Sequence, residues 1–192
     1  MKDSTMVITP EARLVWPDLF EPVSFKNDDE LYRCVLLIPK ETDLTSIDEA
    51  IRAAAFKKWP HLKENDLKKL RSPIRDGDEK AIDDSGEVDK ASFFFNHNFL
   101  SVKSKYKPPI VNVYNDPIIN AEEIYGGCYV KGFLSFFGYD YMGNKGVSCS
   151  LRALIKLRDG DPIGGGKVDT GAVFANEIQK REQIETVDDL RY

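Results

Sequence analysis

The sequence has few of the residues that bind metals or form disulfides. Only two histidines and three cysteines occur among 192 residues, and no two cysteines form a CxxC pair. Neither histidine is spaced with cysteines or carboxylates as a zinc ligand set, so the sequence predicts no metal site and no cofactor. Each cysteine (Cys34, Cys128, Cys149) lies in an apolar, strand-like stretch. This is typical of buried free thiols in a reducing cytoplasm.

Long hydrophobic runs are also lacking. The first six residues have no apolar segment of the kind found in export signals. No later run approaches the roughly 18 apolar residues that a membrane span needs. We therefore expect a cytoplasmic protein that is neither exported nor embedded in a membrane. The contents of 42% hydrophobic and 31% charged residues are those of an ordinary globular chain, long enough for one domain with a full core.

Short apolar and β-branched stretches predict a mainly β fold. Five or so strands with one helical insertion favour a small barrel over a sandwich, which usually has more strands at regular spacing. The leading candidate is a five-stranded antiparallel OB-fold, with the last two long strands joined by a hairpin loop containing Gly143 and Asn144. The predicted strands are Met6–Trp16, Tyr32–Ile38, Phe99–Lys105, Ile110–Val113, Gly126–Tyr139 and Gly146–Arg158.

One helix is predicted as an insertion after the second strand. Ser46 and Glu49 have the spacing of a capping box, and apolar residues then recur at helical intervals until a Trp-Pro pair. The helix is thus predicted over residues 46–58. A shorter amphipathic piece is expected at 64–70, and the acidic stretch 76–90 is predicted to be a loop.

Alternation along the later strands places aromatic and basic residues together outside the predicted core. Successive side chains of a strand point to opposite faces, so residue parity separates core from surface. In the last strand the odd-numbered residues, Ala153 and Ile155 included, are predicted to be core. The even-numbered ones are predicted to face outward, with Leu154 as an interruption. The Tyr129 strand and the Phe99 strand are predicted to expose their odd-numbered residues.

This composite surface predicts binding of single-stranded DNA, because bases stack on aromatic rings while lysine and arginine neutralise phosphates. In the alternative interpretation, Tyr129, Phe133 and Phe137 pack under the predicted helix or in a dimer contact, and their basic neighbours form a solvated rim. The candidate DNA-binding residues are Phe99, Lys103, Lys105, Tyr106, Lys107, Tyr129, Lys131, Phe133, Arg152 and Lys156.

The distribution of charge supports binding to a polyanion despite a net charge of −5. The range from His97 to Arg158 contains eight basic and four acidic residues, so the rest of the chain carries the excess of acidic residues. Electrostatic contacts act within a Debye length of about 10 Å, so the local excess of basic residues matters more than the total.

Two functions of other classes stay open at this point. The acidic loop 76–84 contains Asp76, Asp78 and Glu79, and carboxylates that converge on two metal ions would make a metal-dependent nuclease. The exposed aromatic residues would instead form a subunit interface if the protein were an interaction barrel. Oligonucleotide binding, magnesium-dependent cleavage and light scattering distinguish the three.

Five segments carry motifs that occur together in one known family: Pro73–Lys80, Ser104–Val111, Ile124–Lys131, Lys145–Ser148 and Leu157–Pro162. Together they resemble phage-encoded single-stranded DNA-binding proteins with an OB-fold, and the resemblance covers most of residues 5–175. It implies sequence-independent binding of exposed strands in phage replication, recombination and repair, in the host cytoplasm. It implies no catalysis.

The end of the chain matches that family only in part. Binders of this kind often end in an acidic tail with a terminal aromatic residue, which recruits replication proteins and competes with DNA. Residues 176–192 hold five carboxylates and three basic residues before Tyr192, but their apolar residues also have helical spacing. We predict a binding domain over residues 1–175 and a C-terminal tail or helix over 176–192, which the resemblance makes a candidate contact for phage replication or recombination proteins. Self-association on DNA stays open.

Overall fold

Strands form where β-branched and apolar residues alternate with polar ones, as the sequence predicts. A computed structural model describes residues 4–24 and 30–163. Its helices are α1 (Thr45–Lys58) and α2 (Gly77–Lys80), with 3-10 turns at Glu64–Lys69 and Ala121–Glu123. Its strands are β1 (Met6–Ile8), β2 (Ala12–Val23), β3 (Leu31–Pro39), β4 (Ile74–Asp76), β5 (His97–Ser104), β6 (Ile110–Val111), β7 (Tyr129–Tyr141) and β8 (Asn144–Arg158).

Five of these strands close into a ring in the order β2, β3, β5, β8, β7 and back to β2. The prediction of a mainly β fold is confirmed. The prediction of a wholly antiparallel barrel is wrong, because β5 and β8 run in the same direction where Lys103 lies beside Ser150. Three short strands add to the ring: β1 pairs with β7, β4 with β5, and β6 with β8.

The helix α1 packs against β7 through small residues that let the two backbones approach closely. Ala50, Ala54 and Ala55 are buried in the main core together with leucines of β2, β3, β7 and β8. The predicted helix over 46–58 is confirmed to within one residue. The predicted capping box is wrong, because the carboxylate of Asp43 accepts hydrogen bonds from the Thr45 amide and hydroxyl instead.

A bulge in β8 reverses the predicted parity of that strand. Phe133 lies opposite Ala153 and Leu134 opposite Leu151, which leaves Arg152 as an extra, exposed residue. Beyond the bulge Leu154 is buried, while Ala153 and Ile155 are on the outer face and half-buried. The prediction that Ala153 and Ile155 are core is therefore wrong, since one inserted residue moves the following side chains to the opposite face, up to the second register shift after Lys156.

The acidic stretch 76–90 is more than a loop, because it begins with α2 and leads into a second hydrophobic cluster on the outside of the ring. Phe94 and Ala81 are buried there against Val15, Val35 and Leu37, on the outward faces of β2 and β3. The turn between β7 and β8 consists of Met142 and Gly143, both with positive φ. This geometry suits a two-residue hairpin turn.

The predicted segment 176–192 and the boundary at residue 175 lie outside the described residues, so both stay predictions. Within the two described ranges, no helix is long and apolar enough to cross a membrane. The same ranges hold no cluster of three or more histidine, cysteine, aspartate or glutamate side chains arranged to bind a metal ion.

All three cysteines are free and buried, as the sequence predicts. Burial raises the pKa of Cys149 to about 12, and it raises those of Cys34 and Cys128 above their usual range. Because the thiolate is the reactive species, we expect the folded protein to react with a thiol-specific reagent at least about a hundredfold more slowly than the unfolded chain. A colorimetric thiol titration with and without denaturant measures this. Rapid labelling of the folded protein would contradict the buried positions.

Candidate nucleic-acid interface

Two clefts on the outside of the ring share Ser101 in their linings, and we call the two together the outer groove. The larger cleft, of about 710 Å³, lies between residues 71–76 and the strands β5 and β8. The smaller, of about 340 Å³, lies over β2, β3 and β5. The polar and aromatic residues that line the outer groove are Trp16, Asp18, Arg33, Arg71, Ser72, Arg75, Asp76, Glu79, Lys80, Phe99, Ser101, Lys103, Tyr139 and Ser148.

Trp16 presents a large aromatic surface at one end of the outer groove. Its side chain is 47% exposed, although the residue lies within β2. The backbone has φ 48°, a conformation that bulky residues rarely adopt and that is concentrated at functional sites. The rings of Phe93 and Phe94, at centroid distances of 5.7 and 5.8 Å, support one side of the indole. The result is a fixed ring with a solvent-facing surface.

Cations line the outer groove from end to end. Lys103 is exposed on β5, opposite Arg33 of β3, which binds Asp18 at 2.8 Å. Arg71 and Arg75 are exposed at the other end. In the described ranges no carboxylate lies within ion-pair distance of Lys103, Arg71 or Arg75. The carboxylates of Asp18 and Asp76 in the lining are paired with Arg33 and Lys40, so the positive charges of Lys103, Arg71 and Arg75 are available to an anionic ligand in both clefts.

Five of the ten candidate residues lie in or directly beyond the outer groove, and four of them, all except Phe99, are exposed. Lys103 is part of its lining, and Lys105, Tyr106 and Lys107 follow in the exposed turn after β5. The Tyr106 side chain is 80% exposed. The ammonium group of Lys107 lies 5.2 Å from the ring centre of Phe20. The structure thus places these four close together in the chain at the end of β5, and their role in DNA binding stays a prediction.

Three further candidates lie elsewhere on the outer face. Lys131 and Phe133 are half-buried on β7, and Arg152 is exposed at the bulge of β8. None of the three lines either cleft of the outer groove. Their role in DNA binding stays a prediction.

Phe99 is not an exposed ring. It points away from the main core as predicted, but only 6% of the residue is exposed, because the second hydrophobic cluster covers this part of β5. The ring of Phe94 lies 5.1 Å away, and the guanidinium group of Arg75 lies 5.7 Å from the Phe99 centroid. Phe99 supports the floor of the outer groove, and the expectation of an outward stacking residue is wrong.

Tyr129 and Lys156 are engaged in contacts with other side chains of the protein. The guanidinium carbon of Arg158 lies 3.3 Å from the Tyr129 ring centre, so a base cannot use that ring face. The Lys156 ammonium donates to the Glu123 carbonyl at 2.8 Å and pairs with Asp159 at 2.7 Å, which lowers the pKa of Asp159. Because of the bulge, Lys156 lies opposite the buried Val130, so the prediction that it faces outward is wrong.

Sequence reasoning missed Trp16, Arg33, Arg71 and Arg75. The predicted surface depends on the alternation of the later strands, whereas Trp16 of β2 and Arg33 of β3 line the smaller cleft. A signal for Arg71 and Arg75 is present in residues 57–75, which hold seven lysines and arginines and two carboxylates. The net charge outside His97–Arg158 is negative and does not reveal this basic stretch.

The acidic loop is organised around a lysine. The Lys40 ammonium lies 2.7 Å from Asp76 and 2.6 Å from Asp78. These hydrogen bonds lower the pKa of both carboxyl groups, so both are ionised at neutral pH. Asp78 also accepts a hydrogen bond from the Asn96 amide, so the pair fixes α2 against the start of β5.

Known proteins resemble this chain in sequence and in fold. A family model described as the single-stranded DNA-binding protein of Enterobacter phage Enc34 matches residues 5–185. Protein p50 of Acyrthosiphon pisum secondary endosymbiont phage 1 is 34% identical over 170 residues, which cover 82% of this chain and 85% of p50.

Solved structures of two phage proteins share the fold. The single-stranded DNA-binding protein of bacteriophage Enc34, in complex with single-stranded DNA, has a TM-score of 0.67 at 22% identity, over 84% of this chain and 90% of that one. The single-stranded DNA-binding protein gp2.5 of bacteriophage T7 has a TM-score of 0.53 at 13% identity, over 84% of this chain and 98% of that one. Since the family model spans nearly the whole sequence, the chain belongs to the phage Enc34 single-stranded DNA-binding protein family.

Proposed function

We propose that this protein binds single-stranded DNA along the outer groove, without sequence preference, and coats exposed strands during phage replication, recombination and repair. The observation that carries the proposal is the combination of an exposed, supported Trp16 with Arg33, Lys103, Arg71 and Arg75 in the two clefts of the outer groove. Bases stack on aromatic rings whatever their identity, and a cationic groove follows the phosphates.

The position of the outer groove on the ring supports this function. We assign the ring to the OB-fold, counting β2, β3, β5, β7 and β8 as its five strands. OB-folds bind oligonucleotides on the face of their second and third strands, which here are β3 and β5. Arg33 of β3 and Lys103 of β5, which are cross-strand neighbours and line the same cleft, then lie on the binding face.

We propose no catalytic role for the acidic loop. Both Asp76 and Asp78 are held by Lys40, and together they stabilise the contact between α2 and β5. Magnesium-dependent strand cleavage that is lost in both Asp76→Asn and Asp78→Asn would instead favour a nuclease. For an interaction barrel, light scattering would show the same assembly with and without oligonucleotide.

We also propose that the protein acts in the host cytoplasm, where phage DNA is copied. Residues 176–192 remain the candidate contact for replication or recombination proteins. Deleting them tests this separately from DNA binding by the outer groove.

The binding of fluorescently labelled oligo-dT tests the main proposal. If about four cations of the groove contact phosphates, the slope of log K against log salt concentration is expected to be near −3, at about −0.7 per phosphate for single strands. Fluorescence anisotropy over a range of salt concentrations measures the slope. Absence of binding at low salt, or binding that does not change with salt, would contradict the proposal.

A further inference from the structure

The outer groove ends beside a second concave surface at the C-terminal end of α1. We infer that bound single-stranded DNA continues from the groove across the base of the β7–β8 hairpin into this surface, which we call the helix-end pocket. The inference rests on the proposed function and extends its binding site. It identifies Lys58 and Lys145 as contacts for a longer strand.

The helix-end pocket has an apolar floor and a basic rim. Its volume is about 370 Å³. A ring or other flat apolar group fits such a floor, and an anion fits the rim, which is the pairing that a nucleotide offers. The floor is formed by Trp59, Pro60, Leu62 and Leu70, and the rim by Lys58, His61 and Lys145. The Lys145 ammonium lies 3.5 Å from the Asp140 carboxylate, but 53% of the Lys145 side chain is exposed to an incoming phosphate.

The chain around this pocket is the most basic stretch that the sequence contains outside the later strands. Residues 57–75 hold seven lysines and arginines and only two carboxylates. Both carboxylates are already paired, Asp66 with Lys69 at 2.7 Å and Glu64 with Arg52. The segment therefore has more basic side chains than the two carboxylates can pair with, and its basic residues extend to Arg71 and Arg75 in the outer groove.

Direct backbone contacts connect the two concave surfaces. The Arg71 amide donates to the Lys145 carbonyl at 3.1 Å, and the Val147 amide donates to the Arg71 carbonyl at 2.9 Å. Arg71 and Val147 line the outer groove, while Leu70 and Lys145 line the helix-end pocket. The two surfaces are therefore separated by one position in the first chain segment (Leu70 to Arg71) and by two in the second (Lys145 to Val147), so a DNA strand can cross directly from one to the other.

Close packing fixes the helix end against the hairpin. A Cβ atom at Gly138 would lie 2.6 Å from Cβ of Lys58 and 3.1 Å from the Trp59 ring, so only glycine permits this approach. The Trp59 amide also donates to the Ala55 carbonyl at 2.8 Å, which closes the helix. The pocket is thus formed before any ligand arrives, and binding does not have to order it.

An acidic peptide with one apolar side chain would also match an apolar floor with a basic rim. Single-stranded DNA is favoured because the pocket continues an interface of the same charge, and because Arg71 connects the two surfaces. If the pocket binds DNA, its lysines contribute to the affinity only for an oligonucleotide long enough to reach it. If it binds a peptide, they do not affect the affinity for an oligonucleotide of either length.

The test compares two lengths of oligo-dT, about 6 and about 16 nucleotides, within the range of site sizes known for OB-folds. The double variant Lys58→Ala, Lys145→Ala is expected to bind the long oligonucleotide about tenfold more weakly and the short one within about twofold of the wild type. The groove variant Lys103→Ala is expected to weaken both lengths. The variant Lys90→Ala, an exposed lysine outside both surfaces, controls for net charge and is expected to change neither.

A second readout uses Trp59, which is the sole tryptophan of the variant Trp16→Phe. Its fluorescence is expected to change with the long oligonucleotide and to stay constant with the short one. Equal losses for both lengths, or no loss for either, would overturn the inference, and the second result would fit a peptide ligand. A wild-type protein that binds neither length would refute the proposed function instead.

Discussion

Replacing Trp16 with alanine is expected to reduce the affinity for oligo-dT by about tenfold to a hundredfold. Stacking of one base on an aromatic side chain contributes about 1–3 kcal/mol by alanine substitution, and a tenfold change corresponds to about 1.4 kcal/mol. Phe93 and Phe94 hold the indole in place, and its 47% exposure leaves a surface for a base. The ring is thus ordered before DNA binds, so little entropy is lost when a base stacks on it.

Two variants separate stacking from other effects at this position. Trp16→Phe keeps an aromatic ring and is expected to retain most of the affinity. Trp59→Phe leaves Trp16 as the sole tryptophan, and oligo-dT is expected to quench its fluorescence. The thermal unfolding midpoint of each variant shows whether the fold is intact. If Trp16→Ala binds within twofold of the wild type, or if the Trp16 fluorescence does not respond to DNA, then the indole is not the stacking surface.

Local sequence patterns predicted the elements of this fold but not the faces that they present. The helix and the long hairpin follow from short-range signals, so α1, β7 and β8 begin and end close to the predicted residues. The bulge at Arg152 depends on pairing with β7, and no pattern in β8 alone indicates it. Because the bulge adds one residue to β8, the side chain of Lys156 lies on the opposite face from the one that alternation predicts.

Phe99 shows a second limit of the same kind. Parity places it correctly on the outward face of β5, but Phe94, which precedes it by five residues, folds back and covers that face. Whether an outward side chain is exposed depends on what packs over the sheet. Lys103 of β5 and Arg75 of β4 are exposed, whereas Phe99, which lies on β5 opposite Arg75, is covered by Phe94.

Replacing both Lys103 and Arg75 with alanine is expected to reduce the magnitude of the slope of log K against log salt concentration by about 1.4, at about 0.7 per phosphate contact. Neither residue has an acidic partner in the described ranges, so both charges are available to phosphates. Lys156→Ala is the matched control, since this ammonium is already paired with Asp159, and only 13% of its side chain is exposed. The salt-dependence slope of the Lys156→Ala variant is expected to equal that of the wild type.

Asp18→Asn should have the opposite effect, because Asp18 binds the guanidinium group of Arg33 at 2.8 Å and adds negative charge to the groove. Without that carboxylate Arg33 can bind a phosphate, so both the affinity and the magnitude of the slope are expected to rise.

Salt titrations of the three variants by fluorescence anisotropy measure these changes together. A loss of slope in Lys156→Ala, or none in the variant lacking Lys103 and Arg75, would place the DNA on the Tyr129–Lys156 side of the ring. An increase in Asp18→Asn would locate the phosphates at the contact between β2 and β3, because only there does the carboxylate compete with them.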